Sequence, residues 1–301
     1  MTFQQLQYFL EVYKAGSFSE AAKRQFVSTS GLSIAISNLE KELGSPLFIR
    51  TQKGLEVTTF GNKVLERATQ ICEQHRQLSR ISNEEVRSFR IAAIEYPPCA
   101  DAFARLMKEL GPQLNANIAI SSTSDVTLQK LFLCELDMAI IGNFHARQLP
   151  LFEELEEKKL EYKLLQTVPV EIVIGPKHRL YNQETIGPED LSQEIFLDNV
   201  YRFFSRNHYL KGILSIAKDN VIAVHKSEVL YRLLDEGVGY TIFLRPQPDV
   251  CETHNFRRIP LEKVFYDIIF VTNPIRPLCA MGQRYLSLVE EEIATAEQRE
   301  A

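Results

Sequence analysis

Several absences narrow the sequence at once. No run of about 18 apolar residues occurs, so a membrane-spanning helix is not expected. A signal peptide is not expected either, because Gln4, Gln5, Gln7, Glu11 and Lys14 interrupt any early apolar stretch; a cytoplasmic location follows. The five cysteines, Cys72, Cys99, Cys134, Cys251 and Cys279, form no CxxC or CxxxC pair, which reads as reduced thiols, mostly in the core, of an intracellular chain. Redox sensing stays open as an alternative, with Cys251 and Cys279 the pair to test. GxSxG, P-loop and HExxH motifs are missing, and Gly237-Val238-Gly239 fails the phosphate fingerprint because residue 242 is Ile. The six histidines (75, 145, 178, 208, 225, 254) lack ligand spacing. No metal, no cofactor and no catalytic nucleophile–base pair is therefore expected.

What is present is an ordinary globular composition, 45% apolar and 24% charged, over 301 residues, a length that suits two or three domains. The net charge of −5 hides a segregation. Residues 1–90 carry twelve Lys/Arg against nine Asp/Glu, whereas residues 91–301 carry 22 against 30. A mildly basic front on an acidic body fits a DNA-facing N-terminal part.

Leu6, Phe9, Leu10 and Tyr13 recur at helical spacing, so 3–14 reads as an amphipathic helix ended by Gly16. Ser17 with Glu20 three residues on is a capping-box arrangement opening a second, short helix with Phe18, Ala21 and Ala22 inward. A third helix begins near 28–30, with Leu32, Ile36 and Leu39 inward and Thr29, Ser30, Ser33, Ser37 and Lys41 outward. Two helices joined by a tight turn, the second carrying hydroxyls near its start, are the layout of a helix-turn-helix; a three-helix packing unit without a DNA role shares the pattern. The next segment favours DNA. Pro46-Leu47-Phe48-Ile49-Arg50 and Leu55-Glu56-Val57-Thr58 flank a polar turn tipped by Lys53 and Gly54, a small β-wing that places Arg50 and Lys53 to reach phosphate.

The stretch GSFSEAAKRQFVSTSGLSIAISNLEKELGSPLFIRTQKGLEVTTFG resembles the winged helix-turn-helix of LysR-type transcriptional regulators. The matching residues are Gly16-Ser17-Phe18, Ala21-Ala22, Leu32-Ser33, Leu39-Glu40, Glu42-Leu43-Gly44, Pro46-Leu47-Phe48, Arg50 and Thr58 to Gly61. The resemblance implies a sequence-specific DNA-binding regulator whose operator is an imperfect inverted repeat. The candidate DNA contacts are Ser17, Ser28, Thr29, Ser30, Ser33, Ile34, Ser37, Arg50 and Lys53. Two departures bear on readout. The family usually has Gln-Pro-Ala where Thr29-Ser30-Gly31 stands, and often basic residues where Ile34 and Ala35 stand. An arginine fork to guanine is therefore unavailable from that face, while Ile34 suits a thymine methyl.

From Phe60 to about residue 83 the chain has no Pro and only Gly61, at its start. Phe60, Val64, Ala68, Ile71, His75 and Leu78 form a coiled-coil-like seam on a long linker helix. Such a seam pairs with a second copy or packs on its own domain; a dimer also puts two recognition helices on successive turns of DNA. The linker and hinge span 60–87, after a DNA-binding domain over 1–59.

Beyond residue 88 short apolar runs alternate with helical patterns. Strands are predicted at 90–94, 117–121, 138–141, 171–174, 195–197, 221–224, 240–244 and 267–272. Helices are predicted at 100–111, 125–134, 187–191, 205–216, 227–236 and 279–296. Such alternation makes the chain α/β overall, with largely parallel sheets. Leu128, Leu131, Cys134 (where a Gly is usual), Leu136-Asp137, Pro176, His178, Leu180, Glu189-Asp190-Leu191, and Ser227 through Gly237-Val238-Gly239-Tyr240 are similar to the LysR effector domain. That resemblance implies two lobes of the periplasmic-binding-protein type over 88–301: lobe I at 88–163 and 267–301, lobe II at 164–266, with two crossing strands as hinge and a small-molecule effector between the lobes. The candidate effector contacts are Tyr96, Ser122, Thr123, Ser124, Asn143, Phe144, Tyr201, Arg202, His225 and Ser227. Glu95, after the first strand, would repel a carboxylate ligand there.

The expected protein is a ligand-responsive regulator, a homodimer or homotetramer on double-stranded DNA. The alternative is a two-lobed binding module or redox sensor whose N-terminal segment serves assembly.

Overall fold

The computed structural model describes residues 1–51, 54–81, 88–111, 115–120, 124–199, 220–224, 226–245 and 250–300. They form two compact units, Met1–Val86 and Arg87–Ala301.

The first unit holds α1 (Phe3–Ala15), α2 (Phe18–Arg24), α3 (Thr29–Leu43), a two-stranded sheet of β1 (Phe48–Thr51) and β2 (Gly54–Val57), and α4 (Thr59–Ile81). Local chemistry sets the helix ends. Thr2 and Gln5 make a reciprocal capping box on α1, and Gly16 closes that helix with φ 65°. The hydroxyls of Ser17 and Ser28 accept from the amides of Glu20 and Gly31 and so start α2 and α3. Leu6, Phe9, Leu10, Ala21, Ala22, Leu32, Ile36 and Leu39 are buried together. Phe48 closes this core from the wing side, with its ring 5.3 Å from Phe9 and 5.8 Å from Phe18.

In the second unit the strands are β3 (Ser88–Ala93), β4 (Asn115–Ile120), β5 (Met138–Phe144), β6 (Glu161–Ile174), β7 (Phe196–Asn199), β8 (Val221–Val224), β9 (Tyr240–Leu244) and β10 (Arg257–Thr272). They lie side by side in the order β4-β3-β5-β10-β6-β9-β7-β8. The helices are α5 (Pro97–Leu110), α6 (Ser124–Phe132), α7 (Gln148–Glu157), α8 (Pro188–Leu191), α9 (Ser227–Asp235), α10 (Val250–Thr253) and α11 (Ala280–Glu300). The predicted helix at 205–216 lies outside the described residues.

The expectation of largely parallel sheets needs correction. The outer ladders, β3–β4, β3–β5, β7–β8 and β7–β9, are parallel, but every ladder made by β6 or β10 is antiparallel. Those two strands are also far longer than predicted. β6 has 14 residues and β10 has 16, and they pair from Arg257↔Ile174 to Thr272↔Glu161, so each carries the sheet from one half to the other. The register breaks between Pro260 and Phe265, with Lys263 at φ 60°. Pro169 and Pro260, together with the exposed residues of 161–164, hide this length in the sequence, because they break the apolar runs that mark strands.

α7 is an addition to the predicted elements. Pro150 argues against a helix there, yet it sits in the first turn, where its missing N–H has no intrahelical partner to lose. The pairing of α5 with α11 is secured by the Tyr285 hydroxyl on the Cys99 carbonyl (3.0 Å) and by Arg105 and Arg284 shared among Glu109, Glu291 and Glu292.

Candidate nucleic-acid interface and effector site

The interface is built on α3. Its N-terminal turns present Thr29, Ser30, Ser33 and Ile34 to solvent, with Ser37 half-buried one turn on. The cap hydroxyl of Ser28 also accepts from Ser30 Oγ at 3.3 Å. Gln5 of α1 holds the Ala35 carbonyl at 3.3 Å, which fixes the back of the helix.

The wing is tied to that helix by one carboxylate. Glu40 Oε1 accepts the amides of Leu47 (2.8 Å) and Phe48 (3.3 Å), the entry into β1. Thr58 closes the other end. Its hydroxyl donates to the Pro46 carbonyl at 2.7 Å and accepts the Gly61 amide at 2.8 Å, while its own amide donates to the Leu47 carbonyl. Gly61 is required by space, since a Cβ there would stand 2.4 Å from the Leu47 carbonyl oxygen. Arg50 is exposed on β1, opposite Leu55. Lys53 lies outside the described residues.

Along α4 two stripes separate. Leu65, Ala68, Thr69 and Cys72 are buried within the unit. Ile71 (42% exposed) and Leu78 (67%) remain uncovered, in line with half-buried Val64. Ala68 therefore does not belong to an outward seam. Each step of four residues advances about 40° around a helix, and Ala68 is carried off the Val64 line toward the inner stripe, whereas steps of seven return to within about 20°. His75 is also engaged within the chain, its ring stacked on Phe3 at 4.1 Å. Phe60 is half-buried.

In the second unit, the loop after β3 meets the start of α9. Ser227 Oγ donates to Glu95 Oε1 at 3.3 Å, joining opposite halves of the sheet. Tyr231, one turn along α9, has its hydroxyl pKa pushed up, first by burial and further by the nearby Glu95 carboxylate, against a lowering hydrogen bond to Ser227. Asn143 is half-buried and donates to the Arg147 carbonyl at 2.7 Å. Two candidate effector contacts are core instead. Phe144 is fully buried, edge-on to Tyr266 at 5.0 Å, and Tyr96 is 2% exposed with its hydroxyl 2.5 Å from Gln166 Oε1. β5 is covered on both faces, so alternation along it does not reveal which side chains reach a cleft. Ser124 is the first residue of α6; Ser122, Thr123, Tyr201, Arg202 and His225 lie outside the described residues.

One cluster escapes a reading of the sequence. Asp267, fully buried on β10 beside Asn143 of β5, accepts from Thr167 Oγ1 at 2.6 Å and from Gln148, with His145 Nδ1 at 3.1 Å. A lone acid inside the apolar run of β10 is its only signal.

Comparison with known proteins fits this geometry. Residues 3–62 match the family described as "Bacterial regulatory helix-turn-helix protein, lysR family". The chain is 24% identical over 258 residues to the HTH-type transcriptional regulator CysL of Bacillus subtilis, covering 81% of each. It is 32% identical over 155 residues to the HTH-type transcriptional regulator TfdT of Cupriavidus pinatubonensis, 48% of this chain and 65% of that one. A full-length OxyR variant from Pseudomonas aeruginosa shares the fold along 98% of both chains, with a TM-score of 0.59 at 19% identity. Residues 3–62 are thus a LysR-family helix-turn-helix, and the chain as a whole is similar to LysR-type transcriptional regulators.

The LysR pattern now has physical reasons in this chain. Leu39-Glu40, Pro46-Leu47-Phe48 and Thr58 to Gly61 are the parts that fasten wing to helix. Cys134, where the family usually has Gly, holds φ 53° with its side chain fully buried, a conformation costing an L-residue about 1–2 kcal/mol. Its carbonyl accepts from Arg276 at 2.7 Å, and Asn273 approaches its sulfur at 3.6 Å. His178, buried near Glu194 at 3.2 Å, receives the Leu180 amide on Nδ1. Gly237 (φ 69°) packs against the Lys177 backbone. Burial pushes the thiol pKa of Cys99 up to about 12 and that of Cys251 up to about 11, and only Cys279 is exposed.

Glu40→Ala should cost the first unit roughly 1–3 kcal/mol in urea unfolding, because it strands two part-buried amides at once. A stability unchanged within a few tenths would show that the tie contributes nothing.

Proposed function

We propose that this LysR-type regulator binds double-stranded operator DNA as a homodimer or homotetramer, and that a small molecule held between the two halves of residues 88–301 modulates that binding. The observation that carries the reading is the tie between α3 and the wing, which sets a hydroxyl-bearing helix face and the Arg50-bearing strand in one rigid piece. Such a piece has no use in a solute binder. Helix and wing serve groove and phosphate respectively. The protein works in the cytoplasm, where its DNA is, and acts by binding rather than turnover.

The domains follow as 1–59 for DNA binding, 60–87 for linkage and 88–301 for effector sensing. Val64, Ile71 and Leu78 form the dimer seam, with Phe60 at its start. The effector meets Asn143 and the hydroxyls at 122–124 on one side of the cleft, and Ser227 with Tyr201, Arg202 and His225 on the other. The Glu95–Ser227 hydrogen bond is the contact such a ligand displaces or joins. A ligand preferring one arrangement of the halves shifts the population of regulator states, which is how its presence reaches the DNA.

Charge reversal of the wing, Arg50→Glu with Lys53→Glu, is expected to weaken DNA binding at least tenfold at near-physiological salt. The salt slope should fall by about one for each phosphate that is no longer neutralised. Any thermal shift produced by a ligand should persist. Unchanged DNA affinity would remove the wing from the interface. Ile71→Glu with Leu78→Glu should convert the protein to monomer in sedimentation, because two charges would then stand on the seam; a persisting dimer would place the seam elsewhere.

A further inference from the structure

The face that α3 offers to DNA is unusual in what it can read. From Thr29 to Glu40 it has no Lys or Arg, and the nearest cation on the helix is Lys41, in its last turn. Its exposed N-terminal side chains are Thr29, Ser30 and Ser33, whose hydroxyls pair with several base edges and so discriminate weakly. Asn38 is exposed but stands one turn beyond Ile34, past the N-terminal turns that a recognition helix brings to base edges. Glu40 is committed to the wing amides. The one large side chain left on the face is Ile34, 61% exposed. Two further apolar residues stand uncovered just before the helix: Phe26, 96% exposed at φ 55°, and Val27, 36% exposed. The N-terminal turns of α3 therefore bring no cationic fork to the groove and leave an apolar surface unburied.

We propose that Ile34 reads a thymine through its C5 methyl group, so that each operator half-site carries a thymine at one fixed position recognised by that methyl. Three physical points support it. The thymine methyl is the apolar group that a base pair exposes in the major groove, and apolar side chains are its complement. A β-branched side chain in a helix is held in essentially one χ1 rotamer, so the methyls of Ile34 are placed with little loss of freedom on binding. Contact of the two removes apolar surface from water on both sides, which stabilises the complex without a charge and without a salt dependence of its own. The inference rests on the DNA-binding reading and deepens it from a partner to a base.

The test starts from duplexes selected out of a random-sequence pool on the purified full-length protein. Each thymine of the enriched site is then replaced by deoxyuridine, which removes the methyl and keeps every hydrogen-bonding group. For the unaltered protein, one position in each half-site should lose about four-fold in affinity, the worth of one buried methyl. Ile34→Ala should bind the thymine site more weakly and show no further loss with deoxyuridine at that position; Ile34→Val should retain most of the discrimination. Ile34 is exposed, so both variants should unfold at the parent temperature, and a thermal melt checks this. Equal deoxyuridine penalties in the parent and in Ile34→Ala, or none in the parent, would overturn the assignment to Ile34. A pool that yields no enriched duplex would instead overturn the DNA-binding reading, and this inference with it.

Discussion

The carboxylate of Glu40 is where the DNA-binding unit is held together. It leaves the recognition helix near its C-terminal end and takes two consecutive amides at the start of the wing, so the spacing between helix face and wing edge does not drift. Charge-assisted bonds of this kind are roughly twice as strong as neutral ones, and here the donors are part-buried, which raises the cost of losing them. Thr58 repeats the arrangement from the other side, fastening the strand exit to Pro46 and starting α4 through Gly61. Helix, wing and linker thereby share one set of anchors. The outward residues can consequently depart from the common LysR pattern, as Thr29-Ser30-Gly31 and Ile34 do, while the scaffold that presents them stays intact.

A different constraint organises the second unit. β6 and β10 run antiparallel through both halves of the sheet, and the parallel ladders on either side hang from them. A change in the angle between the halves must pass through those two strands or through the register break near Pro260. Glu95 and Ser227 join the β3 loop to α9 by a hydrogen bond that a small molecule can compete for. The buried Asp267 cluster anchors the strand pair where β5, β6 and β10 meet.

Local signals are legible in the sequence wherever a single residue decides the geometry. Gly16, Ser17 and Ser28 end or start helices as their chemistry dictates, and the polar residues between 51 and 54 mark the wing. Signals that depend on tertiary cover are not legible. Periodicity along α4 puts Ala68 on the outward seam, because it cannot say which of two apolar lines is met by the chain's own α1. Phe144 looks like a cleft residue from sequence because a strand buried on both faces shows no alternation to separate core from cleft, and Tyr96 because it follows a strand, where its burial against the core depends on tertiary cover. Pro150 conceals a helix, and Pro169 and Pro260 conceal most of two strands. Cys134 carries a trace of its role, since it stands where a glycine is usual and the backbone there is left-handed.

The most direct test is to select genomic DNA fragments on the purified full-length protein at near-physiological salt and again at high salt. The predicted result is that a few promoter regions are enriched, that they share an imperfect inverted repeat, and that enrichment fades as salt rises because the wing neutralises phosphates. Binding without preference among fragments, or enrichment indifferent to salt, would contradict a regulator that reads an operator through helix and wing together.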